Sequence, residues 1–212
     1  MDYTQFKNRF RHLPFILSKA VVKTEKRRGQ NILNQLSRWQ SRRLIFKLRR
    51  GIFILNENDR KITPSRYYLA GQLYAPSYIS LESALSFYGL IPESVFDLTC
   101  VTTRKTIRFS NCLGRFIYQH IKPVGFSGYK LVKDENGLEF FMAEPEKAVV
   151  DFLYFNLPNL KKYARQKFKD SYRFQNLKGL SRKKIMDFAV NFTNPQLTEL
   201  CRIFCGFIKL RG

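Results

Sequence analysis

The chain has 212 residues, 44% hydrophobic and 15% aromatic, which is too much apolar material for wholesale disorder and enough for one large core or two small ones. Its 38 Lys and Arg exceed its 16 Asp and Glu by +22: residues 1–61 carry 16 basic and 4 acidic side chains, 62–157 carry 9 of each, and 158–212 carry 13 and 3. A neutral middle between two basic ends points to a polyanion partner, and no apolar run approaches the roughly 20 residues of a membrane span.

In chain order, Phe6, Phe10 and Leu13 mark a short amphipathic helix over Tyr3–Leu13, ended by Pro14. Residues 15–23 suit a second short helix. A third is expected from Arg28 to Gln40, with Ile32, Leu33, Leu36 and Trp39 on one stripe and Arg28, Asn31, Asn34, Gln35 and Arg38 on another. The stretch "LIFKLRRGIFIL" (44–55) then reads as a hairpin, Leu44–Leu48 and Ile52–Leu55, turning through Arg49, Arg50 and Gly51. Three helices and a hairpin make a winged helix-turn-helix. Its third helix suits a major groove, where Asn and Gln can pair with adenine and Arg with guanine, and Lys47, Arg49 and Arg50 of the wing suit phosphates.

Residues 56–63 are polar, so the expected domains are 1–61, a winged helix-turn-helix, and 62–212, a mixed α+β domain with a basic helical tail. In the second domain Thr63 and Pro64 should open a helix to Leu73, and Ser80 should cap another over Leu81–Tyr88. Short strands are expected at 96–103, 107–109, 115–121, 129–132 and 138–142, with Asn136-Gly137 as a hairpin turn. Helices should follow at 145–157, 160–168, 181–192 and 195–209, with Ser181 and Asn194 as caps.

Two stretches, "YISLESALSFYGLIPES" (78–94) and "AEPEKAVVDFLYF" (143–155), resemble the signature of AbiEi-type antitoxins, with "VTTRKT" (101–106), "LGRFIYQHI" (113–121) and "FSGYKLV" (126–132) in order between them. The similarity spans about residues 28–157. It implies an antitoxin of a type IV toxin–antitoxin system whose winged helix represses its own operon at promoter inverted repeats. The implied functional partner is a nucleotidyltransferase-like toxin, without a stable complex. Where that family commonly has Gly after the recognition helix, this sequence has Arg42-Arg43, and the first 27 residues and the tail after 157 match only loosely.

Glu144, Glu146, Lys147 and Asp151 offer a competing reading as a metal-dependent nucleic-acid enzyme, but Pro145 sets the two glutamates in a helix's first turn, where capping and a surface pair explain them. A third reading is an antitoxin that acts by direct toxin contact. The absence of a signal-peptide pattern suggests a cytoplasmic chain, so Cys100, Cys112, Cys201 and Cys205 are expected as free thiols, mostly in the core. No metal, cofactor or catalytic residue is expected. The basic tail, with Lys161, Lys162, Arg165, Lys169, Arg182 and Lys183 among interleaved aromatics, suits a second DNA contact, an RNA contact or a solvated face.

Overall fold

The computed structural model describes residues 1–24, 29–160 and 162–211. The fold is mixed α+β, as the sequence predicts. The chain runs α1 (Tyr3–Phe10), β1 (Ile16–Leu17), α2 (Ser18–Thr24), α3 (Gly29–Ser41), β2 (Ile45–Arg49) and β3 (Ile52–Leu55). Then come α4 (Arg66–Leu73), β4 (Ser77–Ile79), α5 (Leu81–Phe87), β5 (Leu98–Thr102), β6 (Ile107–Asn111), β7 (Gly114–His120), β8 (Tyr129–Lys133) and β9 (Glu139–Ala143). Helices finish it: α6 (Pro145–Phe155), α7 (Leu157–Leu160), α8 (Ala164–Asp170), α9 (Arg182–Asn191) and α10 (Pro195–Arg211). No described helix is long and apolar enough to cross a membrane.

Two hydrophobic clusters organise these elements. The smaller gathers Phe6, Phe10, Ile16, Val21, Ile32, Leu36 and Trp39 with Ile45, Phe53 and Leu55. Here α1 begins on a reciprocal cap, Asp2 Oδ1 accepting from Gln5 N at 2.8 Å while Gln5 Oε1 accepts from Asp2 N at 3.1 Å. Ile32, Leu36 and Trp39 fall on one stripe of α3, and burying each contributes about 1.5–3 kcal/mol. The sheet is ordered β1-β3-β2, all antiparallel. Residues 15–23 are therefore not one helix: Ile16 and Leu17 pair with Phe53 and Ile52 before α2 begins at Ser18. A two-residue strand has no period of its own to read; distant partners create it.

The hairpin is two-faced because side chains alternate across a strand. Ile45, Phe53 and Leu55 enter the smaller cluster, whereas Leu48 and Ile54 enter the larger one. That larger cluster is built on a six-stranded mixed sheet, ordered β6-β7-β5-β4-β9-β8, with β4–β9 and β5–β7 parallel. Helices α5, α6, α9 and α10 supply much of the remaining core.

Local signals were displaced in places. The N-cap of α4 is Ser65, whose hydroxyl accepts from Tyr68 N at 3.1 Å, rather than Thr63. Ser80 precedes α5 but makes no capping bond, since its hydroxyl donates to Asp151 at 2.8 Å. Ser181 does cap α9 through Lys184 N, and Asn194 Oδ1 accepts from the amides of Gln196 and Leu197. Arg43, between α3 and β2, takes φ 56°, in the left-handed region that favours glycine.

Candidate nucleic-acid interface

Helix α3 exposes two stripes. Asn31, Asn34 and Arg38 are exposed on one, with Gln30 Nε2 donating to Asn34 Oδ1 at 3.0 Å. Gln35 belongs to that stripe by spacing, yet it is half-buried and donates to the Met1 carbonyl, which binds α3 to the chain start. Arg28 lies outside the described residues. On the other stripe are Leu33, Ser37 and Gln40, roughly 140° around the axis.

That second stripe faces the hairpin across a groove of about 780 Å³. Leu17, Leu33 and Ile52 lie along the groove, and Lys19, Lys47 and Arg50 supply three cations with no carboxylate among the lining residues. Ser37 and Gln40 add hydrogen-bonding groups. Gly51 makes the hairpin turn at φ 80°, its carbonyl accepting from Ser18 N at 2.9 Å, so the tip is held against the start of α2.

Arg49 is elsewhere. The β2–β3 register shifts between Lys47 and Arg49, and this irregularity breaks the alternation that would have put both on one face. The Arg49 guanidinium lies 4.7 Å from the Tyr74 ring centroid and 5.3 Å from that of Phe109, and donates to the Leu73 carbonyl. Arg104 caps the same Tyr74 ring at 4.4 Å, and Asn111 Nδ2 donates to the Leu48 carbonyl at 3.2 Å. Of the seven expected contacts among the described residues, the structure thus brings Lys47 and Arg50 to the groove, sets Asn31, Asn34 and Arg38 on a separate face, and engages Gln35 and Arg49 inside the molecule. Lys19, Ser37 and Gln40 were missed. The 33–37–40 spacing was the available signal, hidden because Leu33 was read as core; it is 47% exposed.

One acid anchors this module from behind. Asp59 Oδ2 accepts from the Tyr3 hydroxyl at 2.7 Å, and Oδ1 lies 3.1 Å from Lys7 Nζ. Burial pushes the Asp59 carboxyl up, but the bonds from Tyr3 and Lys7 outweigh it and hold the group below the usual carboxylate range.

The acidic cluster is divided between surface and core: Glu144 keeps access to solvent, whereas Glu146, Lys147 and Asp151 are buried. Glu144 pairs with Lys184 at 2.7 Å, and Glu146 accepts from Ser181 N at 2.9 Å. Lys147 and Asp151 form an ion pair that is wholly buried. Asp151 Oδ2 also accepts from the Tyr78 hydroxyl at 2.9 Å and from Ser80 at 2.8 Å. Burial pushes the Asp151 carboxyl up against the opposing pull of Lys147 and the two hydroxyls. All four cysteines are free thiols, with Cys100 and Cys201 buried, Cys205 half-buried and Cys112 exposed. No three potential metal ligands converge among the described residues.

In the tail, Lys162, Arg165, Lys169, Arg182 and Lys183 are all exposed, and Lys161 lies outside the described residues. Compared with known proteins, the chain matches no family model and no curated protein.

Proposed function

We propose that this chain is a DNA-binding transcriptional regulator of the AbiEi antitoxin type, gripping promoter duplex with α3 and the β2–β3 hairpin. The observation that carries the reading is the groove between those two elements, edged by Lys19, Lys47 and Arg50 and lined by no carboxylate. Its setting supports the same view, since helix–strand–helix–helix–strand–strand with a β1-β3-β2 sheet is the winged-helix order. Arg42-Arg43 departs from that family, whose members commonly have Gly between the recognition helix and the first wing strand, although the Arg43 backbone takes the conformation glycine favours. On this reading residues 1–61 bind DNA and residues 62–212 form the antitoxin domain, opposing a nucleotidyltransferase-like toxin without a lasting complex.

On the stripe of α3 that faces the groove, Ser37 and Gln40 would meet base edges, while Lys19, Lys47 and Arg50 neutralise phosphates. With about six phosphates neutralised, log affinity should fall against log salt with a slope near −5. Anisotropy titrations of the full chain on duplex from upstream of its own gene test this. Lys47→Glu with Arg50→Glu should weaken binding at least tenfold and flatten the slope by about 2. Unchanged affinity in that variant, or equal affinity for a scrambled duplex, would overturn the proposal.

A further inference from the structure

We propose that α8, the start of α9 and the C-terminal half of α10 form a second site, for single-stranded nucleic acid, which does not depend on the α3–hairpin reading. Of the 13 basic residues after position 157, several are spent internally. Arg173 pairs with Glu93, Lys184 with Glu144 and Arg202 with Glu199, and Lys167 donates to the Asn159 carbonyl. Among those that remain are Arg165, Lys169, Arg182 and Lys209, and no described carboxylate forms an ion pair with any of these four.

Geometry draws these four together. The Arg165 guanidinium lies over Gly206 of α10, so close that a Cβ built there would sit 3.3 Å from Nη2. From α9, the Arg182 carbonyl accepts from the Cys205 thiol at 3.8 Å. Burial pushes that thiol up, and the Arg182 charge pulls it part of the way back. The Arg165 guanidinium and the Arg182 backbone, from different helices, therefore meet adjacent residues of α10, Gly206 and Cys205. Lys209 stands one turn beyond on the same face of α10, and Lys169 one turn beyond Arg165 on α8. The C-terminal end of a helix attracts cations, which accounts for Lys209. It does not account for Arg165 and Arg182, which two other helices bring to the same stretch of α10 with no ion pair to a described carboxylate, an arrangement that an anion would stabilise.

An exposed ring specifies the anion. Tyr163, directly before α8 and two residues from Arg165, is 74% exposed, with no ring partner and no hydroxyl hydrogen bond among the described residues. A duplex keeps its bases stacked and offers no base face to such a ring. A single strand offers both an unstacked base for Tyr163 and phosphates for the four cations.

The full chain, titrated with labelled oligouridylate, oligothymidylate and an unrelated duplex of about 12 nucleotides or base pairs each, tests the site. Both single strands should bind more tightly than the duplex, with a log–log salt slope of about −3 for four phosphates. A preference for oligouridylate would add a 2′-hydroxyl contact, and equal affinity would place recognition on base and phosphate; either supports the site. Arg165→Glu with Arg182→Glu should weaken single-strand binding at least tenfold, and Tyr163→Ala about tenfold, while Tyr163→Phe keeps it. Promoter-duplex binding should stay within about twofold in all of them, so failure here is distinguishable from failure of the repressor reading. If the charge-reversed double variant does not fold, Arg165→Gln must still weaken binding. Single-strand affinity indifferent to Arg165 and Tyr163, or its loss with Lys47→Glu and Arg50→Glu instead, would each overturn the site.

Discussion

Lys147 and Asp151 are two charges with almost no access to water, and such a pair survives only because each neutralises the other and the leftover lone pairs are bonded. Tyr78 and Ser80 supply those bonds from β4 and the residue after it, so the network joins two segments about 70 residues apart, 78–80 and 147–151. Removing the ammonium should therefore be worse than removing both charges. Lys147→Met should cost about 3–5 kcal/mol at neutral pH, and adding Asp151→Asn should recover a large part of it. The loss should also depend on pH. Burial already pushes the Asp151 carboxyl up, and without Lys147 it rises further, so the folded state takes up a proton that the unfolded chain releases. Stability of Lys147→Met should thus fall as pH rises from the unfolded carboxylate range through the raised folded value. Urea unfolding at pH 5 and pH 8 checks this: a variant equally destabilised at both would mean that the carboxylate has found another partner.

The hairpin shows what a sequence pattern conveys at the scale of an element and where it stops. Alternating apolar residues in 44–55 locate both strands to within a residue, and Gly51 locates the turn, because those signals are local. The register shift is not local. It depends on how β2 pairs with β3, and it turns Arg49 from the side of Lys47 to that of Leu48. The same limit hid β1 and β4, whose two and three residues are strands only through pairing with Phe53, Thr102 and Met142. It also misled the reading of Ser80, a plausible cap by position that is claimed by Asp151 from a distant helix. Three adjacent cations with two fates give a sharp expectation. Arg49→Ala should lower unfolding free energy by about 2 kcal/mol, since a half-buried guanidinium stacked on two rings and bonded to a carbonyl is lost. The exposed pair Lys47→Ala and Arg50→Ala should change it by less than about 0.5 kcal/mol each. Equal effects at all three positions, measured by urea denaturation, would contradict this division.

At the scale of the whole molecule, the polar stretch 56–63 suggests two independent domains, but the β2–β3 hairpin belongs to both cores. Among the described residues the smaller cluster has ten buried apolar side chains, little for a module of this size to stand on alone. Leu48, 2% exposed, and Ile54, 1% exposed, seat its sheet in the larger cluster instead. The chain's one tryptophan, Trp39, sits in the smaller cluster and reports on it separately from far-UV circular dichroism, which weighs every helix and strand. If the shared hairpin makes the cores one cooperative unit, the two signals should give one urea midpoint in the native sequence. Leu48→Ala removes one of the hairpin's two buried contacts with the larger core, costs about 2–5 kcal/mol, and should uncouple them. The fluorescence midpoint should then fall below that of circular dichroism, because the smaller core loses its support while the six-stranded sheet keeps most of its own packing. Midpoints that shift together in Leu48→Ala would mean that the cores are joined by more than the hairpin, and midpoints already separate in the native sequence would mean that they fold independently.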